Sequence, residues 1–141
     1  MSRTAEDVTV AVAQLAGGPD VQANLAAIAD LVAEAAAGGA KLVVFPEAVM
    51  FDFTASAETI AAVGREQGLA FEAAIRDLAQ KSGVAIVAGM YGPGEGRLAT
   101  NTLVAFGADG AALGRYEKLH LYDAFHYRES EKNQPAPLKP D

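Results

Sequence analysis

The chain has 141 residues, of which 51% are hydrophobic and 21% are charged, and its formal net charge is −7. This composition excludes a disordered or collagen-like protein, and the length supports one hydrophobic core, so we expect one domain or part of one. The acidic balance argues against general binding to nucleic acid or to an acidic lipid surface.

Residues 1–10 lack the apolar core of a signal peptide and no later segment resembles a membrane span, so we expect a cytoplasmic protein.

The start of the chain predicts a β-α-β unit. Residues 8–15 (VTVAVAQL) alternate as a strand does, and Asp20 is a candidate N-cap for an amphipathic helix. Residues 41–46 (KLVVFP) predict a second, parallel strand that is buried on both faces.

The middle of the chain predicts further helices and strands. A short helix is expected after Thr54 or Ser56, and a separate helix is expected to end at Gly83. Strands are predicted at residues 84–91, 98–106 and 111–118, joined by tight turns. Together these elements predict an α/β fold with a mixed sheet, parallel at first and antiparallel later.

Three other features indicate no additional site. The glycine-rich segment 92–96 is similar to a phosphate-binding loop, but it leads into a strand and not into a helix, which indicates a hairpin loop. Residues 123–141 show little apolar periodicity, so we expect a loop or an unsupported tail. A metal site built from His120 and His126 would need carboxylates that the sequence does not identify, and we expect neither a metal nor a cofactor.

Glu47 is the first candidate catalytic residue. It follows the buried strand, at the edge of an α/β sheet where ligands and catalytic groups collect. Pro46 restricts its own backbone and that of the preceding residue, so the position of Glu47 is better defined than that of an ordinary loop residue. Glu47 is therefore interpreted as a general base, with a solvated loop carboxylate as the alternative.

Lys118 is the second candidate, at the end of the last predicted strand. Strand alternation places Tyr116, Lys118 and His120 on one face, so that the lysine is flanked by two groups able to bond to it. An ammonium in this position can stabilise a developing oxyanion. The alternative is an exposed surface lysine.

Five sequence segments occur together in a characteristic order. They are VAVAQL at residues 10–15, Asn24-Leu25 in the first turn of the helix, GAKLVVFPE at 39–47, TNTLVAFGADG at 100–110 and GRYEKLHLYD at 114–123. Over residues 8–131 the chain resembles the nitrilase, or carbon–nitrogen hydrolase, superfamily.

The resemblance implies an αββα sandwich with a mixed sheet. Residues 1–141 resemble the N-terminal portion of a single such domain, with 132–141 as a loop or tail, so we expect the sandwich to be incomplete in this chain. It also implies hydrolysis of a small amide, nitrile or carbamoyl compound by a Glu-Lys-Cys triad through a thioester. By motif, Glu47 matches the general base and Lys118 matches the lysine that stabilises the tetrahedral intermediate. Glu129 matches an additional glutamate that orients the substrate or the lysine, with a charge in a mobile loop as the alternative.

The chain departs from the family because it contains no cysteine. We therefore expect it to be inactive by itself, and the sheet faces around Val43, Val44, Ile86 and Val87 to lack part of their cover. Three accounts are open: the N-terminal half of a longer enzyme, a non-catalytic binding or interaction module that retains the scaffold, or one chain of a pair whose other member supplies the cysteine. A homo-oligomer is a further implication of the resemblance.

A nucleotide-binding protein of the flavodoxin or Rossmann type is the runner-up, since such proteins also begin with a β-α-β unit. The segment Gly17-Gly18-Pro19 lacks the spaced glycines of their phosphate-binding turn and has a proline beside the helix start.

Overall fold

A mixed sheet forms the centre of the computed structural model, which describes residues 7–138. Its main strands, adjacent in this order, are β1 (Val10–Val12), β2 (Leu42–Val44), β3 (Ala85–Pro93), β4 (Ala99–Phe106) and β5 (Ala112–Glu117). The pairs β1-β2 and β2-β3 are parallel, whereas β3-β4 and β4-β5 are antiparallel. The predicted β-α-β start and the predicted hairpin are confirmed, although β1 and β2 are each three residues long.

Two α-helices, among the described residues, share one hydrophobic core with this sheet. The first, α1 (Val21–Ala37), begins at the predicted N-cap Asp20, whose carboxylate accepts the amides of Gln22 and Ala23. The second, α2 (Ala57–Ser82), begins after Ser56. No helix within residues 7–138 combines the length and the apolar character that crossing a membrane requires.

The prediction of two separate helices between Thr54 and Gly83 is wrong, since α2 is continuous over 26 residues. Gly64 and Gly68 weaken the helical pattern of the sequence because glycine is a poor helix former. In the structure these glycines let α2 approach the sheet closely. A Cβ on Gly64 would lie 2.6 Å from the carbonyl oxygen of Gly92, so only glycine fits this helix-to-strand contact.

The helices bury one face of the sheet, and the other face is partly exposed. Val43 and Ile86 are fully buried in the core shared with the helices, so the expectation that they lack cover is wrong. Their neighbours Val44 and Val87 alternate to the opposite face and are half-buried. On that face Leu103 is exposed, and the predicted lack of cover applies there.

The segment after Tyr122 is more ordered than the sequence predicted. It forms a hairpin of β6 (Asp123–Ala124) and β7 (Tyr127–Arg128), a short 3-10 helix (Glu129–Glu131) and β8 (Asn133–Gln134). β8 pairs with β4, so the prediction of a loop or unsupported tail from residue 123 is wrong for these residues. Residues 139–141, the end of that predicted tail, lie outside the described residues.

Asn24 links the start of α1 to the turn that follows β2. Its side chain accepts the amide of Gly18 and donates to the carbonyls of Gly18 and Met50, each at 2.9 Å. Because Met50 lies in the turn that begins at Glu47, this buried amide fixes the segment that carries the first candidate catalytic residue.

We expect Asn24→Ala to lower the free energy of unfolding by about 2–3 kcal/mol, because it leaves partly buried backbone groups without partners. Asp20→Ala, which removes the exposed cap of the same helix, is expected to cost about 1 kcal/mol. Urea denaturation of both variants measures the difference, and equal losses would show that the Asn24 link adds nothing beyond helix capping.

Candidate active site

Glu47 lies in a tight turn immediately after β2, supported by β3. Gly89 of β3 makes this placement possible, since a Cβ there would lie 2.6 Å from the amide nitrogen of Ala48 and 2.7 Å from the Cα of Glu47. Ala48 has a φ of 55°, which is uncommon for a residue with a side chain. The chain thus reverses direction directly after the carboxylate, and the backbone of the turn rests on the strand beneath it.

Lys118 follows the end of β5 and contacts two carboxylates. Its Nζ lies 2.9 Å from Oε1 of Glu47 and 2.8 Å from Oε2 of Glu129. The lysine side chain is 27% exposed, so it is not an ordinary surface lysine. The sequence predicted Tyr116 and His120 as its flanking partners, but the groups that bond to Lys118 are the two glutamates.

Glu129 is buried and its carboxylate is saturated with hydrogen bonds. Oε2 accepts from Lys118 and from the amide of Tyr122 at 2.7 Å, and Oε1 accepts from Asn101 at 3.0 Å and from Asn133 at 3.3 Å. The side chain is only 4% exposed. Glu129 is therefore not a solvated charge in a loop.

Asn101, near the start of β4, is a site residue that was not predicted from the sequence. Its Nδ2 donates to Oε1 of Glu47 at 2.5 Å and to Oε1 of Glu129 at 3.0 Å, and it is buried. The backbone carbonyl of Asn101 also accepts the amide of Lys118. The available signal was an amide side chain between two threonines, at the start of a strand that continues with apolar residues.

The ionisation of Lys118 and Glu129 is set by their contacts. Burial lowers the pKa of Lys118, but hydrogen bonds to Glu129 and Glu47 and their negative charges outweigh it, so the net shift is upward. Burial raises the pKa of Glu129, but hydrogen bonds from Lys118, the Tyr122 amide and Asn101 outweigh it, so the net shift is downward. Both shifts favour the charged forms at neutral pH.

Glu47 differs from Glu129 in solvation. Its side chain is 58% exposed. The described residues therefore do not provide the partial desolvation that is expected for a general base. Both of its hydrogen bonds, from Lys118 and Asn101, go to Oε1. Oε2 accepts no hydrogen bond from any residue between 7 and 138 and is available to accept a proton.

These residues line a cavity of about 570 Å³. Glu47, Asn101, Lys118 and Glu129 form its polar wall, and the rings of Phe53, Tyr122, Phe125 and Tyr127 form much of the remainder. Lys132 holds two of these aromatic residues, because its Nζ donates to the carbonyls of Phe53 and Ala55 and lies 5.0 Å from the ring centroid of Tyr127. The arrangement can hold a small polar molecule against one ammonium and two carboxylates.

The comparison with protein families identifies the family of this chain. A family model described as "Carbon-nitrogen hydrolase" matches residues 9–140. The chain belongs to the carbon–nitrogen hydrolase family. The family predicted from the motifs is thereby confirmed.

Relatives of known sequence are hydrolases. The chain is 38% identical over 130 residues to a hydrolase of Mycobacterium tuberculosis, a match that covers 90% of this chain and 45% of that protein. It is 32% identical over 123 residues to an omega-amidase of Danio rerio, covering 80% of this chain and 42% of the relative. The chain thus spans less than half the length of these two relatives.

Solved structures agree in fold. An amidase from Nesterenkonia sp. superposes with a TM-score of 0.80 and 29% identity, over 94% of this chain and 49% of the amidase. A cysteine-to-alanine mutant of the amidase from Nesterenkonia sp. AN1, solved in complex with butyramide, matches with a TM-score of 0.80 and 30% identity over the same shares. Another mutant of that amidase shows covalent addition of the acetamide moiety of fluoroacetamide at the active site cysteine.

We expect Gly89→Ala to displace the Glu47 turn, because the new Cβ meets backbone atoms that no side-chain rotation can move away. The predicted cost is about 1–3 kcal/mol in the free energy of unfolding, measured by urea denaturation. Gly114→Ala in β5 is the matched control, since a Cβ there meets nothing within 4 Å, and it should lie within about 0.5 kcal/mol of the original protein. Equal stabilities of the two variants would contradict the proposed support of Glu47.

The lowered pKa of Glu129 predicts an acid-sensitive contribution to stability. The pKa of Glu129 in the folded protein lies below the ordinary value of 4.5, so the ionised carboxylate stabilises the fold at pH values above 4.5. This stabilisation is lost as the pH falls through the pKa of the folded state. Glu129→Gln should therefore flatten the decline of the free energy of unfolding below pH 4.5. Glu131→Gln, at an exposed neighbouring position, should leave the decline unchanged, and a decline of full steepness in the Glu129 variant would refute the assignment.

Proposed function

We propose that this chain carries the glutamate and the lysine of a carbon–nitrogen hydrolase that acts on small amides through a Glu-Lys-Cys triad. The observation that carries the proposal is the contact of Lys118 Nζ with both Glu47 and Glu129 at the wall of one cavity. The cysteine is not among the 141 residues, so it is supplied by a further segment of the same polypeptide or by another chain.

Glu47 acts as the general base in this proposal. A thiol with an ordinary pKa near 8.5 is mostly protonated at neutral pH and needs a neighbouring base. Oε2 of Glu47, which has no hydrogen-bond donor among residues 7–138, takes the thiol proton as the sulfur attacks the carbonyl carbon of the amide. The C–N bond then breaks, the proton passes from Glu47 to the departing ammonia, and an acyl thioester remains that water hydrolyses.

Lys118 stabilises the negative charge that develops on the carbonyl oxygen. An ammonium already held in place by two carboxylates requires little reorganisation when that charge appears. Its raised pKa supports this role, because the ammonium stays charged at neutral pH.

Glu129 and Asn101 are positioning residues in the proposal. Glu129 offers no unoccupied acceptor for a proton, since both of its oxygens accept two hydrogen bonds. It is therefore suited to holding Lys118 and not to transferring protons. Asn101 joins Glu47 to Glu129 and keeps both carboxylates on the same ammonium.

The relatives support an amide as the substrate. The Nesterenkonia amidase has been solved with butyramide and, in another mutant, with acrylamide, and one relative is an omega-amidase. A covalent product at the active site cysteine of that amidase supports a thiol as the missing member of the triad. Small uncharged amides are accordingly the first substrates to test.

We expect the 141-residue chain alone to release no ammonia from butyramide, and the protein purified together with a cysteine-bearing segment to release it. In the active form, Glu47→Gln and Lys118→Met should each lower kcat/KM by at least about a hundredfold. Glu66→Gln, at an exposed position on α2, is the control and should retain normal turnover. Near-normal turnover in either site variant, or ammonia release by the cysteine-free chain, would sink the proposal.

A further inference from the structure

Tyr91 is a buried cavity residue that the triad does not use. It lies near the end of β3, is 2% exposed, and lines the same cavity as Glu47 and Lys118. No hydrogen bond joins its hydroxyl to another residue within 7–138, and the hydroxyl oxygen is not among the fully buried side-chain atoms that lack a partner in this part of the chain. A cavity-lining hydroxyl without a protein partner is a group that a bound molecule can use.

The surroundings of Tyr91 show where its hydroxyl lies and in which form it exists. Burial raises the pKa of Tyr91, and the negative charges of Glu47 and Glu129 raise it further. Tyr91 is paired with Asn101 across β3 and β4, and paired residues of antiparallel strands project to the same face of a sheet, so the Tyr91 side chain lies on the cavity side together with Asn101. The hydroxyl remains protonated at neutral pH and can donate or accept a hydrogen bond.

The charges on the cavity wall limit what can bind. Glu47, Glu129 and Lys118 are the charged residues among those that line the cavity in the described part of the chain, which gives two negative charges against one positive charge. Both carboxylates already contact the lysine. A second carboxylate, brought by a ligand, would therefore meet net negative charge and no additional cation.

Aromatic residues form much of the remaining wall, together with Ala48, Ala124 and the amides of Asn101 and Asn133. The rings of Phe53 and Tyr122 both lie beside Tyr127, with centroids 6.3 and 6.4 Å from its ring. This surface favours the methylene groups of an acyl chain over a charged group, because apolar contact is favourable there and desolvation of a charge is not.

We propose that Tyr91 is a substrate-binding residue that selects amides whose acyl chain is uncharged and ends in a hydrogen-bonding group such as a hydroxyl. The inference rests on the proposed function only in placing the amide group at Lys118. Tyr91 then binds the far end of the acyl chain, and the net negative wall disfavours amides that end in a carboxylate.

The test uses Tyr91→Phe, which removes one oxygen atom and keeps the ring. Three amides of similar length are titrated by NMR into the 141-residue chain: 4-hydroxybutanamide, pentanamide and succinamate. The original chain should bind 4-hydroxybutanamide about fivefold more tightly than pentanamide, as one added hydrogen bond allows. Tyr91→Phe should abolish this preference while leaving the affinity for pentanamide unchanged, and succinamate should bind most weakly to both proteins.

Tyr116→Phe is the control, because Tyr116 is exposed on β5 and is not part of this cavity. It should retain the preference for the hydroxyamide. A preference that survives in Tyr91→Phe, succinamate binding as tight as that of pentanamide, or failure of all three amides to bind would overturn the inference. The readout is binding, so loss of ammonia release in the active form, with the Tyr91 preference intact, would count against the triad and not against Tyr91.

Discussion

The ion cluster of Lys118 with Glu47 and Glu129 is the interaction on which the site depends. The two carboxylates would repel each other if they shared the cavity wall without a cation, and Lys118 lies within 3 Å of an oxygen of each. Asn101 donates to both carboxylates and offsets the repulsion further. Since Glu129 is almost fully buried, loss of the lysine would leave an uncompensated charge in the interior, which is a costly arrangement.

The scaffold brings three distant segments to this cluster. Glu47 follows a parallel strand and rests on Gly89, whereas Lys118 follows an antiparallel strand whose end is bonded to Asn101. The segment that carries Glu129 is held from both sides. β8 pairs with β4, and Lys132 is bonded to the turn that follows Glu47. The sheet therefore fixes the separation of the charged groups, and the hydrogen bonds after Tyr122 fix their third member.

Sequence patterns predicted those parts of the molecule that depend on local chemistry. Asp20 and the alternating strands were identified because caps and buried strands have local signals. The continuity of α2 was missed because Gly64 is unfavourable for a helix in isolation and is required only by contact with β3. The burial of Glu129 was missed for a similar reason. Residues 123–134 lack apolar periodicity, and their structure depends on hydrogen bonds to β4 and to Lys118, which lie outside this segment.

The two glutamates show how one lysine can have partners with different tasks. Each carboxylate lies at nearly the same distance from Nζ, so distance does not distinguish them. Solvation and hydrogen bonding distinguish the two carboxylates. Both carboxylate oxygens of the buried Glu129 accept hydrogen bonds, which fixes its charge and its orientation. Glu47 is largely exposed, and its Oε2 accepts no hydrogen bond from the described residues 7–138. In the proposed mechanism, Glu47 can therefore exchange a proton while Glu129 holds the ammonium of Lys118 in place.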